Sequence, residues 1–382
     1  MRQYVFVTGI DYVHIDSGPT DFRAYADRRM RWLAKQHPRK KLKFHIFDFW
    51  RGVIATRQTG KGTTVKNKDP DDTSHKKIAK GDYKVPDDGP PYFDARDKNT
   101  LSIVDVYDKI EAIGKNDAGS LAEVSFFSHG YWEGPILVNS YKDTVFQSGR
   151  PEGDTYELPE TFRDPDDKDP RPAADFSTLT TNKKQMQAAF ASDGYIWIWG
   201  CSFPKQLHKL LHDLESDGDF SVRDTDADAK IELRPSQYKE LFDNLKGFFS
   251  VSGSVSGRVE VRFDRLKFAL CRLNKSTYAA QFAQAADTTV YAAAVGTYAV
   301  YDDESENPQL LHVERSFGER VRFYRNHLPL TDGPEDRGYV GYPPDLACSR
   351  PASMSGSRSG SSGSGSSSSG SGSGSGSGSS SP

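Results

Sequence analysis

The sequence predicts an open, mostly parallel α/β sheet with helices on both faces. Three observations lead there. Tyr4–Ile10 (YVFVTGI) is a continuous apolar and β-branched run, suited to a strand buried on both faces. A helical repeat and a second strand-like run, Leu42–Phe49 (LKFHIFDF), follow it, so the chain opens strand, helix, strand. Three later apolar runs, Ala122–Phe127, Tyr195–Trp199 and Thr289–Val295, each come after a segment with helical spacing.

In chain order, Thr20 or Asp21 can cap the first helix, which runs to Gln36 with Phe22, Tyr25, Ala26, Met30 and Leu33 on one face. Residues 56–92 are rich in Lys, Asp, Gly and Pro and read as a long excursion. The second helix spans about Leu101–Gly114, with Val104, Tyr107, Ile110 and Ile113 aligned. It feeds AEVSFF, which ends at Ser128-His129-Gly130. Residues 139–181 form a polar, Pro-rich insertion, and a short helix near Lys184–Ala191 returns the chain to YIWIW, which ends at Gly200-Cys201. Pro204–Glu215 is amphipathic, a strand pair is expected near Phe248–Phe268, and the helix Tyr278–Ala286 leads to the fifth strand. From about Ser353 to residue 382 the chain is almost pure Gly and Ser, which bury no apolar area to offset their ordering entropy. The expected organisation is one domain over residues 1–350, with insertions at about 56–92 and 139–181, and a disordered tail over 353–382.

With 36% hydrophobic and 27% charged residues, the body can bury a sizeable core. A formal net charge of −3 argues against a global pull toward nucleic acid or an anionic membrane. The basic run HPRKKLK (His37–Lys43) and the acidic run DPDDKD (Asp164–Asp169) read as solvated loops. No stretch approaches the ~20 apolar residues of a membrane helix. The opening apolar run is too short for a signal-peptide core and lacks a small-residue cleavage site, so a cytoplasmic location, or export without a conventional signal peptide, is expected. The three cysteines, Cys201, Cys271 and Cys348, are an odd, low count; no disulfide framework and a reducing compartment are expected.

Chemistry concentrates at two strand ends. In open α/β sheets functional groups gather beyond the carboxyl ends of the strands. His129 lies two residues beyond one predicted strand and Cys201 two beyond the next. Neighbouring strands lie ~4.8 Å apart, so side chains leaving adjacent ends come within reach of each other. A thiol is mostly protonated at neutral pH and the thiolate is the nucleophile. An imidazole beside it can take the proton and later give it to a leaving amine. Gly130 lets a substrate approach the backbone, its N–H and that of Cys201 can serve as an oxyanion hole, and Gly200 permits a sharp turn.

The stretches Phe126-Phe127-Ser128-His129-Gly130 and Ile196-Trp197-Ile198-Trp199-Gly200-Cys201 resemble the caspase-like superfamily (clan CD) of cysteine peptidases, which holds caspases, metacaspases, legumain, gingipains, clostripain and separase. Val5–Tyr12 is similar to the first strand of many members, and Tyr278–Gly296 to a segment found in several bacterial branches; the resemblance covers roughly residues 1–300. It implies the caspase-like α/β fold, a divergent bacterial-type member, and a cysteine endopeptidase with a His129–Cys201 dyad. It implies a protein or peptide substrate, with no cofactor and no metal. The caspase signature Gln-Ala-Cys-x-Gly is replaced by Trp199-Gly200-Cys201-Ser202-Phe203, and the stretch between the two motifs is longer than in caspases. In the superfamily the residue two before the nucleophile often lines the primary pocket. Trp199 there implies an apolar or occluded pocket, unless it is core packing, and Asp11 is the acid best placed to reach that pocket. A non-catalytic binding or scaffold relative and a nucleotide-binding module stand as alternatives. His208 and His212, without HExxH, and Asp224, Asp226 and Asp228, without the Gly and Glu of a calcium loop, weigh less as metal sites.

Overall fold

A computed structural model describes residues 1–60, 65–67, 71–85, 90–93, 99–132, 134–140, 176, 182–202, 205–216, 228–249, 251, 257–300, 312–313 and 318–354. The expected insertion over 139–181, apart from its first two residues and Phe176, lies outside the described residues, as do Asp224, Asp226 and the Gly/Ser tail beyond Met354.

The first half contains β1 (Arg2–Thr8), α1 (Phe22–Gln36), β2 (Leu42–Asp48), β3 (Val53–Thr59), β4 (Val65–Asn67), β5 (Tyr83–Lys84), β6 (Tyr92–Phe93), α2 (Ile103–Asn116), β7 (Leu121–Phe127), β8 (His129–Tyr131) and β9 (Gly134–Ile136). The second half contains α3 (Lys183–Ala189), β10 (Phe190–Ile198), α4 (Lys205–Ser216), β11 (Lys230–Leu233), α5 (Lys239–Phe249), β12 (Val259–Arg262), α6 (Phe263–Lys275), α7 (Tyr278–Ala286), β13 (Thr289–Ala292), β14 (Ala299–Val300), β15 (His312–Val313), α8 (Gly318–His327), β16 (Thr331–Asp332) and β17 (Val340–Tyr342).

Nine strands form one mixed sheet in the order β16-β17-β13-β10-β7-β1-β2-β3-β4. Its centre, β13-β10-β7-β1-β2, is parallel, and antiparallel strands close both edges. The sheet is therefore the α/β arrangement that the sequence predicts. The helices lie on both faces, as alternation along β7 shows. Glu123 points to α1, where it binds Arg29, while Phe126 points to α7, where its ring meets Phe282 edge-on at 6.2 Å. Caps set the helix starts: Asp21 accepts from the Arg23 N–H, and Ser102 and Asp105 form a capping box.

On the α1 face a buried charge sits within the core. Arg29 is fully buried, pairs with buried Glu123 at 2.9 Å, reaches Glu335 at 2.7 Å, and lies 4.5 Å from the Trp32 ring centre. Burial disfavours its charge, but the two glutamates outweigh that and hold the guanidinium firmly protonated. One residue of the β16–β17 connection is thereby tied to α1.

Three expectations need correction. The excursion expected over residues 56–92 is not wholly one: the end of β3 and all of β4 extend the sheet there, as polar edge strands whose composition hides them. The strand pair near 248–268 is instead β11 with β12, and Phe263 begins α6, whose Phe263, Leu266, Leu270 and Leu273 follow a helical period that the Val259/Val261/Phe263 alternation masks. Cys271 and Cys348 are disulfide-bonded with Cα atoms 5.7 Å apart, which overturns the expectation of no disulfide and leaves Cys201 as the free thiol. No helix among the described residues is long and apolar enough to cross a membrane.

Candidate active site

Strand register builds the site. Thr8 of β1 pairs with Phe127 of β7, and Phe126 pairs with Ile198 of β10. Three parallel strands thus end level, and the residues following them, Gly9–Asp11, Ser128–Gly130 and Trp199–Cys201, leave the same edge of the sheet. From β1 the chain passes to β2 on one side and later to β7 on the other, so β1 and β7 flank a topological switch point, where a crevice opens beyond the strand ends.

At that crevice Asp11 is fully buried and accepts a hydrogen bond from His129 Nε2 at 2.8 Å. The His129 ring, with 22% of its side chain exposed, is fixed edge-on between Tyr12 and Phe22, at 5.1 and 5.5 Å between ring centres. With Nε2–H given to Asp11, Nδ1 is the nitrogen that keeps a lone pair for base chemistry. Burial works to raise the Asp11 carboxyl, but hydrogen bonds from His129 and the Thr20 N–H prevail and hold it well below the usual carboxylate range.

The backbones of the two motifs touch. A Cβ on Gly130 would fall 2.8 Å from the Cys201 carbonyl oxygen and 3.4 Å from the Cys201 nitrogen. A Cβ on Gly200 would fall 2.8 Å from the Ser128 carbonyl oxygen and 2.9 Å from the Gly130 nitrogen. Only glycines permit this approach, which brings the Gly130 and Cys201 amides together, and the Cys201 N–H has no acceptor among the described residues. Gly200→Ala is therefore expected to cost about 1–3 kcal/mol in denaturant unfolding, because the methyl meets backbone rather than a yielding side chain. An unchanged unfolding midpoint would show that the two strand ends are not in contact.

Cys201 is half-buried, and its sulfur accepts from the Ala299 N–H at 3.4 Å. Burial pushes the thiol up, and that N–H only partly offsets it. Next to it, Ser202 and Thr297 form an antiparallel bridge, so residues 297–299 run alongside the Cys201–Ser202 segment.

The structure brings His129, Gly130, Cys201 and Asp11 to one edge. It puts Trp199 elsewhere: fully buried, stacked on Trp197 with ring centres 4.0 Å apart, its Nε1–H on Ser125. Its carbonyl accepts from the buried Tyr339 hydroxyl at 2.7 Å, which steadies the strand end just before Gly200. Asp11, read from sequence as a pocket acid, has both oxygens engaged by His129, His14 and Thr20. His14, Ala299 and Tyr339 carry no sequence pattern that marks them, and Thr20 reads from sequence only as a helix-cap candidate; the fold brings them to the strand ends. His208 and His212 lie on α4, and among the described residues no group of three or more His, Cys, Asp or Glu is arranged to hold a metal ion.

No protein-family model matches the chain, and no curated protein sequence matches it. Among solved structures, the chain is similar to the X-ray structure of a secreted C11 cysteine protease from Bacteroides thetaiotaomicron in complex with an irreversible peptide inhibitor. The identity is 10%, the match covers 71% of this chain and 68% of that one, and the TM-score is 0.24.

Proposed function

We propose that the chain is a cysteine peptidase in which Cys201 is the nucleophile and His129 its acid–base partner. The observation that carries this reading is the Asp11–His129 hydrogen bond at a sheet edge where the His129-Gly130 and Gly200-Cys201 backbones pack against each other. In this reading Nδ1 of His129 takes the Cys201 proton, and the thiolate attacks the scissile carbonyl. The Gly130 and Cys201 N–H groups hold the oxyanion, and the imidazolium returns its proton to the leaving amine. Water then hydrolyses the thioester, with the same nitrogen as base. Asp11 holds the proton of the neutral ring on Nε2, so that the lone pair of that tautomer lies on Nδ1. Trp199 supports the strand from the core, and Asp11 acts through His129 rather than in a pocket. The chemistry needs no cofactor.

A second reading, a caspase-like binding protein without turnover, is favoured by one observation: the thiol is partly covered, and burial works against thiolate formation more than the Ala299 N–H favours it. A thiol-directed peptidyl reagent separates the two. The peptidase should be labelled at Cys201, located by peptide mapping, and His129→Ala should lose at least nine-tenths of the labelling rate while the fold persists. Equal labelling of wild type and His129→Ala, or none in either, would sink the peptidase reading.

A further inference from the structure

Asp11 serves two imidazoles. His14, three residues on, bonds it twice over: ring Nδ1 lies 3.1 Å from both Oδ1 and Oδ2, and the His14 backbone N–H meets Oδ1 at 3.4 Å. The Thr20 N–H meets Oδ2 at 2.9 Å. The two rings differ in setting, His129 being largely covered and His14 having 53% of its side chain exposed.

We propose that His14 is a positioning residue that clamps the Asp11 carboxylate and, through it, fixes the tautomer and orientation of His129. The torsion that turns an Asp carboxylate is broad and roughly two-fold, so burial alone does not set the carboxylate plane. Donors on both oxygens do set it. His129 engages Oδ1 and Thr20 engages Oδ2, while the His14 ring bridges the pair and locks the rotation. Nearby charges do not compete for this role: Asp16 pairs with Lys80, and Asp21 with Arg51. The geometry stands without the peptidase reading; the effect on turnover rests on it.

The test compares His14→Ala with His14→Asn, whose amide N–H can take the place of the ring Nδ1–H. Nitrogen-15 NMR of the free protein reports the His129 tautomer without any substrate. Wild type should show the form protonated on Nε2, His14→Ala a mixture of both tautomers, and His14→Asn the wild-type form again. If the protein hydrolyses peptides, His14→Ala should lower kcat by about ten- to a hundredfold with KM within about twofold, and His14→Asn should recover most of it. A wild-type tautomer spectrum in His14→Ala overturns the proposal. So does an equal change in both variants, which would mark His14 as merely structural. Absence of turnover in wild type, with the spectra behaving as stated, would defeat the peptidase reading and leave the clamp standing.

Discussion

In the proposed peptidase, Asp11→Asn should lower turnover by roughly 10²–10⁴-fold while leaving KM nearly unchanged. The carboxylate accepts the Nε2 proton of His129. An amide in its place can instead offer an N–H to Nε2, which moves the ring proton to Nδ1 and removes the base. Were Asp11 a pocket acid, the same substitution would act on KM for basic substrates, so steady-state kinetics on paired basic and apolar peptides decides between the roles. The variant should also show a signature in stability. The Asp11 carboxyl is depressed in the folded state, so its ionised form stabilises the fold above the unfolded value near pH 4. That contribution falls away as pH drops through the folded value. Asp11→Asn should therefore be less stable than wild type at neutral pH, and the gap should close in strong acid. A gap independent of pH would mean that the carboxylate is not held as an anion.

Replacing Cys271 and Cys348 together with Ser should cost about 4 kcal/mol, because the bridge closes a loop with a sequence separation of 77 and so removes much of the freedom of the unfolded chain. The bridge ties α6 to the segment after β17. Equal denaturant midpoints for wild type and the double variant, or no effect of reductant on wild type, would count against the bond. Reductant should leave Cys201 as the thiol whose modification tracks any peptidase activity. Bonds of this kind persist in oxidising surroundings, which the odd cysteine count had concealed. Three cysteines admit three pairings, and only the fold selects one.

What was legible in the sequence was the buried centre of the sheet. YVFVTGI, AEVSFF and YIWIW announce β1, β7 and β10 because strands covered on both faces need no polar alternation. The helices before and after them show through their apolar spacing and caps. Edge strands β3 and β4 stayed hidden because half-exposed, polar strands carry no such run. Of the site, His129 and Cys201 stand out because each lies two residues beyond an apolar run, Ala122–Phe127 and Tyr195–Trp199. The partnership of Asp11 with His129 was not legible: 118 residues separate them, and β1 against β7 is a pairing that no local pattern encodes. Trp199 could be read for the pocket or for the core, since alternation gives the side of a strand but not what covers that side.

The level ends of β1, β7 and β10 have a consequence for how this chain can change over generations. The spacing of Asp11, His129 and Cys201 in space is set by ladder hydrogen bonds, not by the length of chain between them. Doubling the stretch that joins β7 to β10 would add only about 0.6 kcal/mol of closure entropy. The crevice is thus insulated from insertion and deletion in its connections, which are free to diverge in length and charge while Asp11, His129 and Cys201 stay in register.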